Sequence, residues 1–547
     1  MKIFYKKFIT LFIASLIFSF TIILVNPSSA YAHSQITGSN PGPDETLVFS
    51  PKYIELKFSE SITATRNSIR LYDQNAKQIE LASKTTSVNS TDIHREIPSL
   101  NRGIYIVSWS VTSADTHPVK GAYTFSIGEK NKQIGDIDKR IAQVLQGNSI
   151  SKETKVFALI NKWFLFAALS LMIAITVLCF FKILKYSADL NKYLLLSLVV
   201  VLITTFIGLV VQTSFVQEVS LITALKPNLF FEQMRSHYGL ASLLRIIFAV
   251  ILYFVLTKMN KSFLILALIL CIDVAVTVSL SGHAVAGEYV SVAIVLSVIH
   301  VMSTFTWLGS ILLIATRYKS IRNQINFKKF SKCAMICVAL AFMTGAFAWY
   351  RQIGPWVYAT NSFFGKLVIA KIVFVIATVI AAFFARKKVL SSSVENSKFR
   401  KLVSFEALVL LIVLGMTSVL VSAVPAKQSA NVEISKQIQV SNKILQITVD
   451  PAKTGVSQLH VYLYKKNGVP FQFDQSLNNL QKSGAEVTLS NPQKNIGPLD
   501  VNMRFQGLNH YSSTGLQVPF AGTWTITVRV QIDKFNEVTG SFKVKYL

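Results

Sequence analysis

The sequence predicts a multidomain membrane protein: an extracellular β-sandwich, an eight-helix transmembrane bundle, and a second extracellular β-sandwich at the C-terminal end. Three observations lead there. Residues 33–128 and 427–547 alternate apolar and polar side chains with the period of half-buried strands. Between them, eight apolar stretches each approach the ~20 residues that a ~30 Å hydrocarbon core requires. Finally, the cations cluster in every second loop between those stretches, as the positive-inside rule demands.

The chain opens with a secretory leader pattern over residues 1–32. Lys2, Lys6 and Lys7 precede an apolar run at 8–25, and Ala30-Tyr31-Ala32 supplies small residues at a cleavage site. Cleavage after Ala32 makes His33 the new N-terminus. Its α-amine and imidazole Nδ1 can then close a six-membered chelate ring on one metal ion. Strand patterns follow at 53–59, 68–72, 103–111 and 122–127, spaced by turn residues in the manner of a β-sandwich. Residues 129–155 are polar and lysine-rich, and read as a linker.

The membrane domain spans 156–424, with apolar stretches near 157–181, 193–216, 238–257, 263–281, 290–316, 333–350, 364–385 and 403–424. A leader peptide puts the first sandwich outside, so the first span runs inward. Seventeen Lys and Arg then fall in the four inner loops and four in the three outer ones, which fixes a cell-membrane, multi-pass topology. An even number of spans returns 427–547 to the outside. The net charge of +28 is therefore a membrane-topology signal, and nucleic acid is excluded as a partner. The mean hydropathy of +0.46 names the lipid bilayer instead. All four cysteines, at 179, 271, 333 and 337, belong to apolar stretches, so neither sandwich has a disulfide framework.

The candidate chemistry is nitrogen-rich. Asp115-Thr116-His117 sets an acid and an imidazole two residues apart, on one face if the chain is extended there. With His33 they make a thiol-free set of the kind tetragonal Cu(II) prefers, and residues 33–128 contain no Met or Cys to hold Cu(I). In the bilayer every ionisable side chain is costly and hence a candidate. His300 falls near mid-membrane, His283 at the outer end of the fourth stretch, and His237 at the start of the third. These three could form a descending set of transport ligands; alternatively, His300 makes a structural bond between helices and the others sit at the interface. Asp273 and Lys371 read as a buried ion pair. Cys333 and Cys337, one turn apart, are either an exit site for Cu(I) or ordinary buried thiols. Met503, His460 and His510 could bind copper, or be a core residue and two surface histidines.

These residues resemble a known family. His33, the segment 56–60, and Trp109-Ser110-Val111-Thr112-Ser113-Ala114-Asp115-Thr116-His117-Pro118-Val119-Lys120-Gly121 are similar to CopC, a copper-binding β-sandwich. Gly282-His283-Ala284, His300, Trp307-Leu308-Gly309, Gly365-Lys366, Lys371 and Glu406 resemble CopD. Met503, His510-Tyr511 and Ala521-Gly522-Thr523-Trp524 resemble a YtkA-like module. Together they look like the CopC–CopD fusion proteins of Gram-positive bacteria, of the YcnJ copper-uptake type. The resemblance implies an external Cu(II) site at His33, Asp115 and His117, and transport ligands at His283, His300 and His237. It implies copper transport rather than an enzyme, with uptake ahead of resistance, sequestration or export. An extracellular copper chaperone or cuproenzyme would be the partner, and Cu(I) a candidate cargo of the membrane domain. A haem-binding electron-transfer protein is the alternative from another class. No P-loop, no D-K-T-G segment and no C-x-x-C motif occurs, so a gradient or cytoplasmic trapping would have to drive transport.

Overall fold

A computed structural model describes residues 36–546 apart from 43–45, 59–60, 115, 117, 129–143, 145–150, 258–260, 286–288, 355, 391–396, 424, 427–433, 451–454, 467–470, 472–483, 508–509, 514–515, 519–521 and 534–535. The leader pattern lies outside the described residues, as do His33, Asp115 and His117.

The N-terminal region is two packed sheets. Its strands are β1 (Ile36–Asn40), β2 (Thr46–Leu47), β3 (Tyr53–Phe58), β4 (Ile62–Thr63), β5 (Ile69–Asp73), β6 (Gln78–Ile79), β7 (Thr86–Ser87), β8 (Asp92–Glu96), β9 (Gly103–Ser113) and β10 (Pro118–Ile127). One sheet runs β1-β3-β8-β7; the other runs β2-β10-β9-β5-β6, with β4 also on β9. Alternation decides which face is inside: Ile54, Leu56 and Phe58 are buried while Tyr53 and Lys57 are exposed. Ile69, Leu71, Ile93, Val107, Trp109 and Phe125 complete the core, each such burial contributing ~1.5–3 kcal/mol. Gly121 lies opposite Trp109 across β9–β10, and a Cβ there would come within 2.7 Å of the indole. The Trp109 ring thus occupies the space that a side chain would need.

Eight long helices occur among the described residues: α1 (Lys152–Phe180), α2 (Ala188–Gln217), α3 (His237–Thr257), α4 (Lys261–Ser279), α5 (Val290–Ile321), α6 (Phe327–Gln352), α7 (Phe363–Leu390) and α8 (Ser397–Leu420). Seven are long and apolar enough to cross a membrane, and Phe263–Ser279 is a shorter apolar helix. These fit a multi-pass membrane protein. α1 starts four residues earlier than the expected domain edge, because Ser151 Oγ accepts the Thr154 N–H at 3.2 Å and caps it. α1 and α5 form the centre, packing on each other and on α8. They approach closely because residue 309 is glycine: a Cβ there would collide with the Ser170 carbonyl and the Ala174 methyl. α6 and α7 are peripheral, only 11% of each apolar window being buried. Their exposed Ile336, Met343, Val373 and Phe383 suit a lipid surface.

The C-terminal region is again two packed sheets, from β11 (Ile434–Val440), β12 (Lys443–Asp450), β13 (Gly455–Lys465), β14 (Ala485–Asn491), β15 (Ile496–Val501), β16 (Met503–Gly507), β17 (His510–Ser513), β18 (Leu516–Val518), β19 (Gly522–Gln531) and β20 (Glu537–Tyr546). The orders are β11-β12-β13-β17-β16, with β18 on β13, and β15-β14-β19-β20. Leu445, Ile447, Val449, Leu459, Val461 and Leu463 face Trp524, Ile526 and Val528 in one core. Met503 is buried in that core.

Candidate copper path

Thr116, the residue between Asp115 and His117, is where the first sandwich meets the bundle. It lies in the loop joining β9 to β10, with φ +71° and its N–H bonded to Ser113 O at 2.9 Å. The backbone therefore turns at this residue. The extended-chain argument for a shared face does not apply, because φ is positive where a strand requires it negative. Gln212 of α2 donates from Nε2 to Thr116 O at 2.8 Å, and Thr116 Oγ1 lies 3.5 Å from Ser281 O. Nearby, Glu218 closes α2 in the left-handed conformation and is ion-paired to Arg70 of β5. Lys120 of β10 stands 3.9 Å from its other oxygen. With side-chain exposures of 6% for Glu218 and 13% for Arg70, this pair is largely shielded from water. Such a pair is far more sensitive to loss of one partner than a surface bridge.

Ser281 leads directly to Gly282 and His283, at the mouth of a cavity of about 600 Å³. His283, His300, Thr304, Trp307 and Lys371 line it, with Arg351, Thr344 and many apolar side chains. Of the residues of the CopD resemblance, His283, His300, Trp307 and Lys371 thus converge from α5, α7 and the 283–285 turn on one space, whereas Gly309, Gly365, Lys366 and Glu406 do not line it. His237 is exposed at the start of α3 and does not line this cavity.

Both lining histidines are anchored through one ring nitrogen. Thr344 Oγ1 donates to Leu340 O at 2.7 Å, so its one proton is committed there. His300 Nδ1 lies 2.8 Å from the same oxygen, so that ring nitrogen is engaged with α6. The interhelical bond and a ligand role are therefore compatible, each using one nitrogen. His283 Nε2 lies 3.3 Å from Leu420 O, which can only accept, so that nitrogen is the donor between them. Arg351 Nη2 donates to the His283 carbonyl at 3.2 Å, and Phe364 meets the imidazole edge-on at 6.2 Å.

Other buried polar groups support this frame. Arg245 donates to Thr277 O, Thr277 Oγ1 and Ser281 Oγ at 3.1–3.2 Å, holding the turn that carries His283. Glu406 accepts from Trp307 Nε1 at 3.2 Å. The expected Asp273–Lys371 pairing is replaced by a separation of roles. Asp273 is buried on α4, which packs on α1, α3 and α5, while Lys371 of α7 faces the cavity. Cys337 is buried in the bundle core, with Cys333 packed against it. No group of three or more His, Cys, Asp or Glu that could hold a metal ion occurs among the described residues.

Known proteins match in three segments. The CopC domain model matches residues 36–128, the copper resistance protein D-like N-terminal domain 153–292, and copper resistance protein D 326–420. The chain thus carries a CopC domain and CopD-type segments side by side. Its CopC domain is similar to protein YobA of Escherichia coli (strain K12), 31% identical over 109 residues, which cover 20% of this chain and 87% of YobA. Copper resistance protein C of Escherichia coli is 33% identical over 107 residues, or 18% of this chain and 84% of that one. Copper transport protein CutJ of Bacillus subtilis (strain 168) is 28% identical over 108 residues, so the match spans 19% of each chain. Among solved structures, CopC from Methylosinus trichosporium OB3b is 24% identical, covering 19% of this chain and 99% of its own, with a TM-score of 0.16. PcoC, a methionine-rich copper resistance protein from Escherichia coli, is 28% identical, covering 18% and 100%, also at 0.16.

The sequence pointed to His283 and His300 but missed Thr344, Gln212, Glu218 and Arg351. A polar residue inside an apolar helix was the available signal for Thr344. The contacts of Gln212 and Glu218 had none, since their partners lie in another domain.

Proposed function

We propose that this CopC–CopD protein imports copper across the cell membrane. His33, Asp115 and His117 capture Cu(II) outside, and His283 and His300 receive copper in the helical cavity, with His237 on the outer approach. One observation carries the reading: Thr116, flanked by two of the capture residues, is hydrogen-bonded to Gln212 and stands beside Ser281, two residues before His283. Capture and cavity are then adjacent steps on one path. The imidazoles of His283 and His300 supply nitrogen donors, which suit copper in either oxidation state better than hard cations. Both sandwiches lie outside the cell on this reading. The C-terminal one, of YtkA-like type, faces an extracellular chaperone or cuproenzyme. The chain performs transport and no covalent chemistry.

The test is whole-cell copper by mass spectrometry under copper limitation, in a deletion strain, its complement, and a strain carrying His300→Ala. Import predicts low copper in the deletion, restoration by the complement, and no restoration by His300→Ala. Higher copper in the deletion would reverse the direction to export or resistance.

The cavity itself supports a second reading. Some 600 Å³ lined mainly by apolar groups exceeds what one ion needs and is typical of a small-molecule pocket. Arg351 and Lys371 on its wall oppose a bare cation but suit the carboxylates of a haem held by His283 and His300. A Soret band in the purified protein would establish that electron-transfer reading and displace the copper path.

A further inference from the structure

The C-terminal sandwich brings together two histidines that are fifty residues apart in sequence. His460 of β13 and His510 of β17 place Nδ1 and Nε2 3.0 Å from each other, with ring centroids 5.2 Å apart. The register explains this. Tyr462 pairs with His510 and Ser512 with His460, so the two imidazoles are diagonal neighbours on one face. That face is the outer one, because Leu459, Val461 and Leu463 of the same strand are buried in the core. Tyr462 stacks on His510 at 4.3 Å and 10°, which holds the ring in place.

We propose that His460 and His510 form a two-imidazole site for Cu(II), separate from the capture and cavity residues. Two nitrogens bound about 2.0 Å from one ion at a right angle lie about 2.8 Å apart, whereas linear coordination separates them by about 4 Å. The observed spacing matches neighbouring positions of a tetragonal ion, leaving its other positions to water or a partner's ligands. Binding needs no net loss of a proton. Whichever neutral ring donates in the N–H···N bond transfers its hydrogen to its other nitrogen, freeing two lone pairs for the ion. Burial keeps the His460 imidazole below its usual pKa, which favours the neutral ligand form at pH 7. Two protein ligands rather than four suit a site that releases its ion to a partner.

The inference does not rest on the transport reading, and its test is separate. The full chain in detergent, carrying Asp115→Ala, His117→Ala, His283→Ala and His300→Ala, is titrated with Cu(II) alone and followed by electron paramagnetic resonance. One equivalent with nitrogen hyperfine structure is expected, lost on adding either His460→Gln or His510→Gln. An unchanged stoichiometry in both variants, with unaltered thermal unfolding, would overturn the site. If the variants do not fold, the unaltered chain decides: Cu(II) should protect both His460 and His510 from diethylpyrocarbonate. Modification of both at the same rate with and without Cu(II) would equally overturn it.

Discussion

The two sandwiches are built alike and used differently. Each buries alternating aliphatic and aromatic residues between two sheets without a cysteine. In the first, Thr116, between the two proposed capture residues, leans on the bundle through Gln212 and Ser281. In the second, the paired histidines stand on adjacent strands, braced by a stacked tyrosine. A ligand on a loop is positioned by what the loop touches, whereas one on a sheet is positioned by register. The first proposed site would therefore depend on another domain, and the second on its own hydrogen-bond ladder.

Three changes would break or sharpen that contrast. The largest effect is expected from adding one residue before His33, or from Asp115→Ala. Either removes a proposed ligand, so Cu(II) affinity should fall by more than the ~10–100-fold typical of an outer-shell change. Competition titration of the CopC domain checks this, and unchanged affinity would refute the N-terminal chelate. Next is Arg70→Ala, which leaves the Glu218 carboxylate shielded and with Lys120 3.9 Å away as its remaining cation. Loss of one partner of a buried pair costs ~3–5 kcal/mol, offset here by whatever Lys120 regains. Hydrogen exchange at the β9–β10 loop and the end of α2 should rise, while Glu218→Gln with Arg70→Ala should restore part of the protection. Unaltered exchange would mean the domains are held elsewhere.

The smallest effect concerns pH and the second sandwich alone. Burial depresses the His460 pKa, so the unfolded chain binds the proton more tightly than the folded one. Stability from this group is complete above the unfolded value of ~6.5 and declines as pH falls through it towards the depressed folded value. Thermal unfolding of the C-terminal sandwich should therefore weaken between pH 7.5 and 5.5, and His460→Gln should flatten the slope. An equal slope in the variant would show that other groups set the acid limit.

How much was legible in the sequence varied with the range of the interaction. Tyr53 to Phe58 alternate because a strand turns successive side chains to opposite faces, and that period survives folding intact. The helices were legible because only runs of about twenty apolar residues satisfy a backbone within lipid. His283 and His300 stood out for the same reason, since an imidazole in that setting needs a purpose. The turn at Thr116 was not legible, because a local pattern cannot show a positive φ there.

The order of the domains, the strand faces, the apolar helices and the identity of the candidate donors were thus determined by sequence alone, through periodicity and the cost of burying charge. Tertiary structure decided which donors meet. It put His283 and His300 on one cavity, left His237 outside it, and divided Asp273 from Lys371. It also joined His460 to His510 and set Glu218 against Arg70. Each of these depends on helix packing or strand register over tens to hundreds of residues, which no local pattern encodes.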